Sequence, residues 1–165
     1  MSKYHTLRPS FLTPPVQRWP ILQGEMRALL DGIQQLVTHL QYAPLTASLS
    51  ALGDTSDEVL TRLIQPTLSR VQELLDIYAV ETQQNLPLTE DTLQCFRHDL
   101  IAPVQSIQAA ADLLMQIAYK SNDASIYERG RFEQLVQASR DLIEALEALA
   151  NPGTPHATIT WLTTD

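Results

Sequence analysis

Glycine is scarce in this chain: five residues in 165, against twenty-six leucines. Glycine supplies the positive-φ turns of hairpins and the backbone cradles of phosphate loops, so its scarcity speaks against sheet-rich and nucleotide-binding folds. The five glycines (24, 32, 53, 130 and 153) are isolated, and no Gly-x-Gly occurs. Cysteine is scarcer still. The lone Cys95 excludes an intramolecular disulfide, offers no CxxC metal site and suits a reducing compartment. Basic residues are outnumbered, 11 Lys and Arg against 19 Asp and Glu, and only two of them are lysines. A net charge of −8 leaves no basic stripe to displace counterions from nucleic acid, and no polybasic patch for an anionic membrane. No uninterrupted apolar run approaches the roughly 18 residues of a membrane span. The start, Met-Ser-Lys-Tyr-His-Thr-Leu-Arg, carries no apolar signal core. A soluble, cytoplasmic protein with no membrane insertion and no nucleic-acid partner is expected.

What the chain does have is helix-forming grease. Apolar residues make up 44% and charged residues 18%, a balance that suits a folded core rather than a disordered chain. At this length one domain or two small helical units bury about 70% of the unfolded surface. Leu, Gln, Ala and Glu favour helices, and the composition points to an all-α fold.

Along the sequence, residues 1–20 carry prolines at 9, 14, 15 and 20 and read as an extended Pro-rich arm. From 21 to about 43, Leu22, Met26, Leu29, Ile33, Leu36 and Leu40 recur at helical spacing, and Pro44 ends the run. Residues 44–56 form a connector. A second helix is expected from Ser56, with Asp57 and Glu58 on its positive end and Leu60, Ile64, Leu68, Val71, Leu75 and Tyr78 as its seam. A third opens at Thr89 and carries Leu93, Phe96, Leu100, Pro103, Ile107, Ala111, Leu114 and Ala118, with one stutter at the later positions. Ser125 and Glu128 form a capping box for a fourth, whose seam is Phe132, Leu135, Ser139, Leu142, Leu146 and Leu149. Asn151-Pro152-Gly153 stops it, and 157–163 alternate like a strand. The expected organisation is a Pro-rich arm (1–20), an N-terminal helical hairpin (21–84), a second hairpin (88–150) and a tail (151–165). The two antiparallel hairpins form a four-helix bundle, within one chain or by dimerisation.

The chemistry-bearing stretch is Phe96-Arg97-His98-Asp99-Leu100-Ile101-Ala102-Pro103-Val104. With Leu93 and Leu100 at heptad positions a and Phe96 at d, His98 falls at f and points to solvent. Most histidines so placed are plain surface. An exposed imidazole on a rigid helix is also what a phosphoacceptor requires, and Asp99 beside it is positioned in sequence to hold one ring nitrogen protonated. Pro103 gives no N–H to the Asp99 carbonyl, so a bend is expected just beyond His98. Other sites are weaker: His5, His39, His98 and His156 share no metal-ligand spacing, and Cys95 at position c has no partner. Leu63-Ile64-Gln65-Pro66 echoes Leu100-Ile101-Ala102-Pro103, as an old duplication of the hairpin would.

The string resembles the phosphoacceptor box of histidine kinases, His-(Glu/Asp)-Leu-Arg-Thr-Pro-Leu, in their dimerisation and phosphotransfer domain. His98, Asp99, Leu100 and Pro103 match it, Val104 replaces the final Leu, and Phe96 matches the hydrophobic residue two places earlier. Ala-Asp-Leu-Leu at 111–114 and the antiparallel helix that follows fit the rest of that domain, over roughly 88–150. The resemblance implies His98 as phosphoacceptor, Asp99 as its acidic neighbour, a helix kink at Pro103, a homodimer, and a response regulator or a separate histidine kinase as partner. Ile101 replaces the family's usual Arg, and Ala102 replaces the Thr or Asn that positions water for dephosphorylating a regulator, so phosphatase activity is not implied. The family's ATP-binding domain has no counterpart here, and residues 157–163 sit where it would begin. Self-contained kinase activity, cofactors and metals are therefore not expected. Two functions follow from different classes: a two-component relay passing phosphate through His98, or a non-catalytic module that binds and regulates a kinase or response regulator. A monomeric histidine-phosphotransfer bundle with a His-x-Leu-Lys-Gly motif fits less well, since Ile101 and Ala102 stand in place of Lys and Gly.

Overall fold

Prolines decide where the helices begin and how their registers run. The computed structural model describes residues 13–42, 59–84, 88–120 and 126–150. The first helix, α1, is Pro15–Tyr42, so residues 15–20 of the expected extended arm are helical instead. The physical reason lies in the position of each proline. Pro15 occupies the first helical position, where no N–H is needed, and the Pro14 carbonyl accepts from Gln17 N at 3.0 Å and Arg18 N at 2.9 Å. Pro20 deprives only the Val16 carbonyl of a donor, and Val16 is 61% exposed, where water replaces it. The arm before residue 13, the Ser56 start, the Ser125 capping box and the 157–163 strand lie outside the described residues.

A π-helical turn, Val59–Ile64, leads into α2, Gln65–Gln83. Pro66 sits in the first turn of α2, and the wider π register before it relieves the clash that a proline ring makes with the carbonyl four residues back. The long helix α3, Glu90–Lys120, runs on through Pro103. It opens at the expected place and is capped there, with Thr92 N donating to Thr89 Oγ1 at 3.2 Å and Glu90 and Asp91 in the first turn. The last helix, α4, is Ile126–Ala150. The described residues are thus all-α, four helices and one π turn. The two prolines of the internal echo are accommodated differently, and the registers differ too. Ile64 is core and Leu63 exposed in the first copy, whereas Leu100 is core and Ile101 only half-buried in the second.

All four helices contribute to one apolar core. Helix α3 packs most extensively on α4, α4 on α1, α3 on α2, and α2 on α1. Helix α1 lies against α4 more than against its own hairpin partner. Contacts at one end give the directions. The start of α1 meets the start of α3 through Arg18 and Glu90, and the end of α2 through Trp19 and Tyr78. The start of α3 meets the end of α4 through Arg97 and Glu147. Successive helices alternate in direction.

The expected seams are largely the observed core, with Leu36 partly buried and Trp19, Leu30, Val37, Leu74, Val136 and Ala145 added. One register differs. On α3 the buried set runs Leu93, Phe96, Leu100, Val104, Ile107, Ala111, Leu114 and Ala118, with Pro103 only half-buried. The four-residue step repeats at 96–100–104 rather than beyond Pro103, because the proline ring lies against its own preceding turn and Val104 fills the core in its place. By length and composition Glu90–Tyr119 is apolar enough to cross a membrane, yet its apolar stripe is spent on α2 and α4. The single polar lapse in the α4 seam, Ser139, is buried with its hydroxyl donating to the Val136 carbonyl at 2.7 Å.

Leu146 is fully buried and Leu113 is 40% exposed. Leu146→Ala is expected to lower the free energy of unfolding by about 3 kcal/mol in a urea titration, and Leu113→Ala by less than about 0.5 kcal/mol.

Candidate functional site

An α-helix turns about 100° per residue, so three consecutive side chains leave it in three directions. On the first turns of α3 those three are Arg97, His98 and Asp99. Arg97 turns to α4, where Nε donates to Glu147 Oε2 at 3.2 Å and Nη2 to Oε1 at 2.6 Å. The paired geometry fixes the guanidinium, and both partners are part-exposed, so its energetic worth is on the order of 1 kcal/mol. Asp99 turns the other way, to α2, where its Oδ2 accepts from the Tyr78 hydroxyl at 2.9 Å. His98 lies between them, exposed, with no hydrogen bond or ion pair among the described residues.

The structure therefore brings His98 and Asp99 together in sequence but not in contact. Asp99, expected to hold a ring nitrogen of His98, is engaged by Tyr78, and no hydrogen bond joins it to the imidazole. The carboxylate is taken instead by a donor on another helix, the Tyr78 hydroxyl. Pro103 lies just over a turn beyond His98, half-buried. Ala102, one turn from His98, is exposed on the same face, as are Gln94, Cys95 and Gln105. Ile101 packs against the core.

Tyr78 is the residue whose part in the site the sequence did not announce, since its heptad position marks it as core. Its ring stacks on Phe96, with centroids 4.0 Å apart and planes at 16°, and Trp19 closes the cluster at 4.9 Å from Phe96 and 6.2 Å from Tyr78. Aromatic stacking holds the ring while the hydroxyl reaches outward to Asp99, a buried body with a polar tip. Burial, then the hydrogen bond to Asp99, pushes the phenol well above the ordinary tyrosine range. Arg18 was placed in the arm by its prolines; it is instead 1% exposed and paired with Glu90 at the start of α3, pinning α1 to the end of the molecule that bears His98. Among the described residues no cluster of His, Cys, Asp and Glu is arranged to hold a metal ion. A groove of about 410 Å³ between α3 and α4, lined by Asp112, Glu133 and Arg140 among others, lies well away from His98.

No family model matches the chain, and no curated protein or solved structure matches it either. The chemistry must be judged on the geometry alone. What that geometry offers is one exposed, unpaired imidazole on a helix whose two neighbouring side chains anchor it to helices on either side.

An alkaline titration tests the Tyr78 environment. Unfolded tyrosines lose their protons from about pH 10, whereas folded Tyr78 keeps its own, so the native state binds more protons there. The contribution is fully present below pH 10 and is lost as the pH rises further. Unfolding free energy measured by urea from pH 9 to 11 is expected to fall more steeply in the wild type than in Tyr78→Phe.

Proposed function

We propose that this chain is a single-chain four-helix bundle of two-component signalling that relays phosphate through His98. The observation that carries the reading is the exposure of His98, without a partner, between two side chains that fix its helix in place. A neutral ring nitrogen attacks the phosphorus of an aspartyl phosphate on a partner response regulator. The N–P bond forms as the partner's O–P bond breaks, and the aspartate leaves as a carboxylate. Reversal onto a second partner passes the phosphate on, so the step needs no nucleotide from this chain. Another protein's active site must close around His98, which the convex, uncluttered stripe of Gln94, Cys95, His98 and Ala102 allows. A cytoplasmic setting, where response regulators work, belongs to the same reading.

The resemblance to the kinase dimerisation domain carries the homodimer with it, but α1 on α4 and α2 on α3 already cover the seam within the chain. The intramolecular bundle is the simpler way to bury it. The rival reading, a non-catalytic module that binds a kinase or regulator, draws on Asp99, whose carboxylate serves the α2–α3 contact rather than the imidazole.

The two readings part on one experiment. Incubated with radiolabelled, phosphorylated receiver domains, the wild type is expected to take up acid-labile label that a His98→Gln variant does not. Equal labelling of the variant, or none of the wild type, overturns the relay. Receiver binding that survives both His98→Gln and His98→Ala without any labelling would establish the rival.

A further inference from the structure

We propose that Tyr78 is a positioning residue for His98: its hydroxyl holds the Asp99 carboxylate on the α2 side of α3 and so withholds it from the imidazole. The inference rests on the phosphotransfer reading for its purpose, but its geometry and its test involve no phosphate.

Three observations converge. The hydroxyl-to-Oδ2 bond of 2.9 Å crosses between helices, so Asp99 answers to the position of α2 and not only to its own backbone. The Tyr78 ring cannot follow Asp99 outward, because Phe96 stacks on one side of the cluster and Trp19 meets both rings. Asp99 is exposed, so once released its side chain has room to change rotamer toward the residue next to it. Glu81 and Arg70 of α2 act on Tyr78 with opposite sign, Arg97 is held by Glu147 of α4, and Glu90 is held by Arg18 of α1.

The consequence is a link between the N-terminal half of the chain and the imidazole. While Tyr78 holds Asp99, both ring nitrogens of His98 face water and neither tautomer is selected. When the bond is broken, Asp99 accepts from one ring nitrogen, which keeps that proton in place and leaves the other nitrogen as the nucleophile. Any displacement of α2 relative to α3 would act on His98 through this one hydrogen bond.

Nitrogen-15 NMR of the His98 ring at mildly alkaline pH reads the tautomer directly. In the wild type the two ring nitrogens are expected to show the averaged shifts of a free imidazole, and Asp99→Asn should leave them so. Tyr78→Phe keeps the stacked ring and removes only the donor, and is expected to split the two nitrogens toward one protonated and one bare. The double variant Tyr78→Phe, Asp99→Asn should return them to the wild-type shifts. Tyr119 serves as the control, since its hydroxyl donates to Glu133 at 2.6 Å near the opposite end of α3, and Tyr119→Phe should not move His98. Unchanged His98 shifts in Tyr78→Phe, or a change that persists in the double variant, overturns the proposal. Loss of phosphotransfer with the NMR pattern intact would instead retire the relay reading and leave the positioning intact.

Discussion

The angular step of the α-helix is the constraint on which the site depends. At about 100° per residue, Arg97, His98 and Asp99 leave the helix in three directions, and each makes the contacts that its own direction offers. Arg97 reaches α4 and Asp99 reaches α2, which leaves His98 to solvent. The flanking contacts that secure the helix are made by the residues next to the histidine, so exposure of the imidazole and rigidity of its support have one cause. A shift of one residue in register would bury His98 or strand the two charges.

That register is in turn set by the core. The buried stripe of α3 takes two four-residue steps in succession, Phe96 to Leu100 to Val104, which rotates the apolar face just where His98 sits on the opposite side. Pro103 is the local reason, since its ring belongs to the edge of the seam rather than to its floor. Pro66 poses the same problem in α2 and is met by a π turn instead. The outcome is four seams that close on each other within one chain, with the Trp19, Tyr78 and Phe96 cluster joining three of the helices beneath the candidate site.

Most of this was legible in the sequence because it is periodic. The seams of Leu22 to Leu40, Ile64 to Tyr78 and Phe132 to Leu149 are written at helical spacing, and a stripe that apolar has few places to go but inward. The start of α1 was not legible. Four prolines within twenty residues look like a broken chain, yet one at the first helical position and one with its orphaned carbonyl at the surface cost little. Reading the arm as extended also hid Arg18, whose burial depends on a helix that begins early. His98 was placed correctly by heptad position. The engagement of Asp99 was not foreseeable, because a donor from another helix competes with a sequence neighbour and only the packing of Tyr78 on Phe96 shows which wins.

In the proposed relay the chain is an intermediary that takes phosphate onto His98 from one partner and gives it to another. The seam from Leu93 to Leu149 is closed by α1 and α2 of the same molecule, α1 lying on α4 and α2 on α3, which leaves the outer face of α3 exposed. Sedimentation equilibrium over a wide range of concentration tests this most directly. A single species of 18.5 kDa is the expected result; a stable species of twice that mass, dispersed to monomer by Leu142→Glu, would show that a second copy supplies the missing half of the core and would contradict it.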